Sequence, residues 1–139
     1  MIVVEGTIKG KARPRVFGKH AITPADTVNY ENWVRICYRE QRGGYSEKPI
    51  KADIYVYYSV PKSYSKAKKE KCYKNLIAPT KKPDADNIAK IILDSLNGIA
   101  YKDDTQICDL RVVKRFISEE GEKERVEFEL YEMIGKQSL

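Results

Sequence analysis

From Ile50 to Val60 apolar and polar positions alternate strictly. Ile50, Ala52, Ile54, Val56, Tyr58 and Val60 fall on one side, and Lys51, Asp53, Tyr55, Tyr57 and Ser59 on the other. A period of two over this length predicts a long strand with one buried face, ended by Pro61. Tyr55 and Tyr57, on the opposite face, are expected to meet a partner helix rather than DNA. Met1 to Ile8 alternates in the same way and predicts a first strand. Thr105 to Ile117 predicts another, with Cys108, Leu110, Val112 and Phe116 on one face. After an acidic turn over Ser118–Glu122, Glu124, Val126, Phe128 and Leu130 alternate with Arg125, Glu127, Glu129 and Tyr131 in a last strand. These final two strands are expected to form a hairpin, and the tail over 133–139 to fray.

Three stretches carry helical spacing instead. Thr23-Pro24-Ala25-Asp26 has the layout of a helix start, and Tyr30, Trp33, Val34, Cys37 and Tyr38 follow before a stop near Gly43-Gly44. These aromatics read as core or dimer contacts rather than stacking platforms for bases. Ser63 to about Asn75 predicts a lysine-rich helix capped by Ser63, with too few apolar residues for deep burial. The third helix begins after Pro83, with Asp84 or Asp86 as its cap, and runs to about Leu96 before Asn97-Gly98. Lys9 to His20 reads as a loop, and His20 as a surface residue. The order strand, helix, strand, helix, helix, strand, strand implies an α/β fold of the α+β type. Its mixed β-sheet carries helices packed on it, in a single domain over residues 1–139.

Charge sharpens this picture. The formal net charge is +6, yet Lys62 to Lys82 alone holds eight lysines and one glutamate, so the remainder of the chain sums to −1. A second basic group, Lys9, Lys11, Arg13, Arg15 and Lys19, lies on the predicted loop, where K-A-R-P-R puts cations on a proline-stiffened backbone. Segregated positive charge favours a polyanionic partner, and the arginine fork suits phosphate. The plain alternative is a solvated lysine-rich helix and an ordinary loop. No stretch is apolar enough to cross a membrane, and MIVVEGTIKG lacks the layout of a signal peptide. Cys37, Cys72 and Cys108 are scattered outside any motif, which suits reduced thiols in the cytoplasm.

The chemistry concentrates in Lys82–Asp104, KPDADNIAKIILDSLNGIAYKDD. Ile88, Ile91, Ile92, Leu93 and Leu96 cover most of the third helix, while Asp86, Lys90 and Asp94 recur at i, i+4 with Asn97 a turn further. A charged stripe on a largely buried helix needs a reason, because unpaired buried charge is expensive. Asp84 and Asp86 can converge if the chain is still extended as it passes them. Asp103 and Asp104 return beside the helix if the next strand pairs there. Carboxylates and one lysine around a point suit a hard divalent cation such as Mg²⁺, which takes oxygen ligands. With one histidine and dispersed cysteines, zinc is disfavoured. The bland alternative is capping and ion pairing at a helix start.

KKPDADNIAKIILDSLNGIAYKDDTQI resembles the signature of the RusA family of Holliday junction resolvases. Its elements are basic residues, D-x-D-N, a lysine four residues after the second Asp, an L-D-x-L-N-G helix end and D-D before a strand. The likeness extends to KARPR and the lysine-rich helix; Ala85 stands where relatives carry a bulkier apolar residue. The resemblance implies a small homodimeric, Mg²⁺-dependent endodeoxyribonuclease of recombination and repair that cuts four-way DNA junctions. It implies metal-binding and catalytic roles for Asp84, Asp86 and Asp104, and a catalytic role for Lys90. Lys11, Arg13, Arg15, Lys66, Lys69, Lys81 and Lys82 are the expected DNA contacts. No organic cofactor is expected. The competing readings are a general metal-dependent nuclease of flaps or single strands, a non-catalytic nucleic-acid-binding protein, and a small-molecule phosphohydrolase that would leave the lysines idle.

Overall fold

The computed structural model describes residues 1–9, 15–17, 20–22, 25–133 and 138–139. In chain order the elements are β1 (Ile2–Glu5), β2 (Arg15–Phe17), β3 (His20–Ile22), α1 (Ala25–Glu40), β4 (Ile50–Tyr58), α2 (Lys66–Tyr73) and α3 (Ala85–Ser95). A 3₁₀ turn (Asp104–Gln106), β5 (Ile107–Phe116) and β6 (Arg125–Glu132) complete it. The expected α+β domain with a mixed sheet is what forms.

β4 is the centre of the fold. Its apolar face, Ile50, Ala52, Ile54, Val56 and Tyr58, is fully buried. It packs with Tyr30, Val34, Cys37 and Tyr38 of α1 and with Ile88, Ile91 and Ile92 of α3 in one core. Each such aliphatic side chain removed from water is worth about 1.5–3 kcal/mol. Gly43 is required here, because a Cβ on it would stand 2.2 Å from the Tyr38 ring. Gly43 N–H also donates to the Tyr38 carbonyl, turning the chain off α1.

The sheet runs β1-β6-β4-β5, with β5 parallel and β6 antiparallel to β4. The expected hairpin between the last two strands is therefore wrong. β5 and β6 flank β4 and do not pair with each other. A strand as apolar on one face as β4 takes the centre, whereas β5, with Asp109, Arg111, Lys114 and Arg115, suits an edge. Cys108 and Leu110 are accordingly exposed rather than buried. At the other edge the Gln41 side chain pairs with both the N–H and the carbonyl of Val3.

Other boundaries shift. β1 stops at Glu5, before Gly6 at φ +114°, although Ile8 is still buried. The stretch read as a loop from Lys9 to His20 contains β2, which pairs with β3 as a two-stranded ribbon. The proposed Thr23-Pro24 start lies outside the described residues. α1 ends at Glu40. α2 is capped by Ser65, whose side chain accepts from Lys68 N–H, and not by Ser63. Ser138 and Leu139 come back to β6, where Leu139 N–H donates to the Leu130 carbonyl.

Candidate active site

α3 presents two unlike faces. Ile88, Ala89, Ile91, Ile92, Leu93 and Ser95 are buried, while Asp86 and Lys90 are exposed and Asp94 is half-buried. Asp84 is the N-cap residue with extended backbone (φ −65°, ψ 154°), and the helix begins at Ala85. Its side chain makes no capping hydrogen bond. The bland role for this aspartate is thus unfilled, and Asp84 and Asp86 stay open to solvent beside the helix N-terminus. Lys90, one turn along from Asp86, has no ion-pair partner among the described residues.

The second half of the site follows the helix end. Gly98 takes φ +76° and its N–H donates to the Tyr101 carbonyl. Tyr101 is fully buried, and its hydroxyl donates to the Leu93 carbonyl at 2.5 Å, which fastens this segment under α3. Burial, and then the charges of Asp104 and Asp94, raise the Tyr101 pKa, so the phenol stays a donor.

Asp103 and Asp104 do different work. The Asp103 carboxylate accepts from Thr105 N–H and forms a capping box with Gln106. Hydrogen bonds from the Thr105 side chain and backbone hold its carboxyl below the usual range. Asp104 instead turns toward Asp94 on α3. Their side chains share a hydrogen bond, which with partial burial and the nearby negative charges pushes the Asp104 carboxyl up to about 6. Gln106 fixes the turn. Its amide oxygen accepts from Lys102 and Asp103 N–H, and its NH₂ donates to the carbonyls of Ser46 and Lys48. Neither Gln106 nor Asp94 stood among the candidate site residues. The D-x-x-Q spacing and the Asp86-Lys90-Asp94 stripe were the signals that could have found them.

Among the described residues no three acidic, histidine or cysteine side chains converge tightly enough to hold an ion. The structure brings Asp104 to Asp94 and leaves Asp84 and Asp86 at the helix start. Like charges move apart unless a proton or cation lies between them, and the exposed pair can turn about their side-chain bonds. The donor set is all carboxylate oxygen, which fits Mg²⁺ or a similar hard cation.

Basic residues border this end of α3. Lys81 and Lys82 are exposed on the segment leading into it. The Lys81 ammonium lies 5.0 Å from the Tyr58 ring, and the Lys81 carbonyl accepts from Lys114 Nζ. On α2, Lys66 is exposed and Lys69 half-buried, Lys68 sits 3.8 Å over the Tyr64 ring, and Lys74 pairs with Glu70. Lys11 and Arg13 lie outside the described residues, and Arg15 is placed only as backbone in β2.

Comparison with known proteins bears on this arrangement directly. Residues 5–131 match the model of the family described as Endodeoxyribonuclease RusA. A curated relative, the uncharacterized protein YqaN of Bacillus subtilis (strain 168), is 41% identical over 122 residues, covering 85% of this chain and 83% of that one. With the family match spanning both halves of the site, β4, β5 and all but the last residue of β6, the chain belongs to the RusA endodeoxyribonuclease family.

Proposed function

We propose that this protein resolves Holliday junctions in recombination and repair. It would act as a Mg²⁺-dependent cytoplasmic homodimer that nicks two opposing strands symmetrically. The supporting observation is the Asp94–Asp104 pair on the α3 stripe that also carries Lys90 and Asp86, with Asp84 at the helix start. Two carboxyls held together across a helix and a turn require a proton or a cation between them. Asp84, Asp86 and Asp104 would hold the metal. When bound, Mg²⁺ would polarise the scissile phosphate and lower the pKa of an attacking water. The chain's own groups do the rest. Lys90 offers its ammonium to the charge that builds on the phosphate oxygens. Lys81 and Lys82 draw the backbone toward an otherwise repulsive acidic site. Lys66 and Lys69, with Lys11, Arg13 and Arg15, hold further phosphates and fix the register of the DNA. Tyr101 and Gln106 keep the Asp104 turn against α3. Two cuts on opposing strands need two such sites related by a two-fold axis.

The test incubates wild type and Asp86→Asn with labelled four-way junction, linear duplex and flap DNA, with Mg²⁺ or with EDTA. Paired symmetric nicks in the junction alone, lost with EDTA and with Asp86→Asn, are expected. Equal cleavage of every substrate would make it a general nuclease. Junction binding without cleavage under any metal would leave a binding protein.

A further inference from the structure

β5 carries a lysine where its pattern asks for an apolar side chain. Val112, Lys114 and Phe116 lie opposite Ile54, Val56 and Tyr58 of β4 in parallel register, so all three look toward the helix-covered side of the sheet. Lys114 is half-buried there and has no carboxylate partner among the described residues. An ammonium drawn inward needs another acceptor. Its Nζ donates to the Lys81 carbonyl and lies 5.7 Å from the centre of the Tyr58 ring, which the Lys81 ammonium approaches to 5.0 Å. Inward-pointing charge is one way to blunt an edge strand. A lysine with that role alone could send its ammonium past the edge to water. This one turns back onto the chain's own backbone.

The carbonyl it holds belongs to a stretch with few other ties. From Ile77 to Pro83 no backbone group pairs with another backbone group among the described residues. Ile77 packs against the core and Pro79 is buried, but Thr80, Lys81 and Lys82 are exposed. The Lys114 bond falls three residues before Asp84. The Asp84 side chain makes no capping bond of its own, so its place depends on where the backbone is held. The two halves of the candidate site are thus fastened differently. Gln106 and Tyr101 tie the Asp104 half. The Asp84 half is tied from the neighbouring strand, the same β5 into which Asp104 leads.

We infer that Lys114 is a positioning residue of the metal site: by holding the Lys81 carbonyl it sets where the chain enters α3, and hence where the carboxylates of Asp84 and Asp86 stand. The inference rests on the reading of those two aspartates as metal ligands. Lys114 acts through the backbone and touches neither metal nor phosphate. Loss of its donor frees the stretch before Asp84, so the carboxylates must be ordered when the cation arrives, and affinity for the cation falls. The tie also keeps the Lys81 ammonium beside Tyr58, on the approach to the acidic site.

Binding of Mn²⁺ alone, followed by electron paramagnetic resonance without DNA, tests this in wild type, Lys114→Met, Lys114→Arg, Lys81→Ala and Asp84→Asn. Methionine keeps the unbranched apolar body and removes the donor, and thermal melting checks folding. Lys114→Met is expected to weaken Mn²⁺ binding about 10- to 100-fold, the range seen when a group that orients metal ligands is lost. The Mg²⁺ needed for half-maximal junction cleavage should rise by the same factor, while the rate at saturating Mg²⁺ recovers. Lys114→Arg, which keeps a donor, should restore most of the affinity. In EDTA the slope of log junction affinity against log salt should not change in Lys114→Met. In Lys81→Ala, which retains the carbonyl, the slope should shrink by about 1 and Mn²⁺ affinity should not fall. Wild-type Mn²⁺ affinity in Lys114→Met overturns the inference, and a reduced salt slope alongside it would make Lys114 a phosphate contact. If Asp84→Asn binds Mn²⁺ as tightly as wild type, the ligand reading fails by itself. The tie is then decided by NMR: amide order parameters of Thr80, Lys81 and Lys82 should drop in Lys114→Met from the rigid range of about 0.85 toward about 0.6. Unchanged order parameters would overturn the tie as well. Should Lys114→Met fail to fold, Lys114→Gln, shorter and uncharged, takes its place.

Discussion

The carboxyl of Asp104 hydrogen-bonds to that of Asp94, while its neighbour Asp103 points away to cap the turn. The D-D pair therefore has one structural member and one facing α3. This pairing makes the metal-free protein sensitive to pH. The Asp104 pKa is raised, to about 6 from 3.8, so between those values the folded state holds a proton that the unfolded chain has lost. Stability should fall as pH rises through that window and level off above it. Thermal melting in EDTA from pH 4 to 7 checks the sign, and Asp94→Asn should flatten the curve. A cation favours the ionised form, so Mg²⁺ binding near pH 6 should release protons, measurable by calorimetry in buffers of different ionisation enthalpy.

Lys90→Ala should lower the single-turnover rate on four-way junctions by about 100- to 1,000-fold, the size expected for one lost transition-state donor. Junction affinity, measured with Ca²⁺ or EDTA to block cleavage, should change little. Equal loss of binding and rate would make Lys90 a phosphate anchor instead.

Gln106→Ala removes the donors that tie the Asp104 turn to the Ser46 and Lys48 carbonyls. A cost of about 1–3 kcal/mol in unfolding free energy follows from the groups left unpaired. Cleavage should fall more than junction binding, because the turn carrying Asp104 loosens while the lysines stay in place. Urea unfolding and single-turnover rates separate the two effects.

Lys66→Ala with Lys69→Ala on α2 distinguishes a DNA surface from a merely solvated helix. If both lysines meet phosphates, the slope of log affinity against log salt should shrink by about 1 for each lysine removed. The melting temperature should hardly move, since Lys66 is exposed and Lys69 only half-buried. An unchanged slope would place the DNA elsewhere.

Gly43→Ala is expected to destabilise by about 1–3 kcal/mol, because the added methyl meets the ring of buried Tyr38. Unfolding in denaturant measures it. Gly121→Ala is the contrast, since a Cβ there has open space and only its φ of +91° opposes it.

The sequence revealed faces more readily than neighbours. The alternation in Ile50–Val60 and the apolar side of α3 told which side chains would be buried, and all but the half-buried Val60 are. Period two is silent about which strand lies next to which. Hence the hairpin expected for β5 and β6 gave way to β4 between them, and Cys108 and Leu110 turned out exposed on an edge. Ser63 and Ser65 are equally good caps by type, and tertiary placement of Tyr64 and Cys72 against the core accompanies the choice of Ser65. Asp103 and Asp104 are indistinguishable by composition. Only Gln106 three residues on marks Asp103 as the cap.

Both halves of the candidate site lie within twenty-one consecutive residues, Asp84 to Asp104. The loop that anchors the second half, through Ser46 and Lys48, comes earlier in the chain. During synthesis these pieces emerge before β6, the strand that joins β1 to the sheet. Local contacts form ahead of distant ones because they close shorter loops. The reactive corner can thus assemble on β4 before the sheet is complete. Order of synthesis would then separate building the site from closing the sheet.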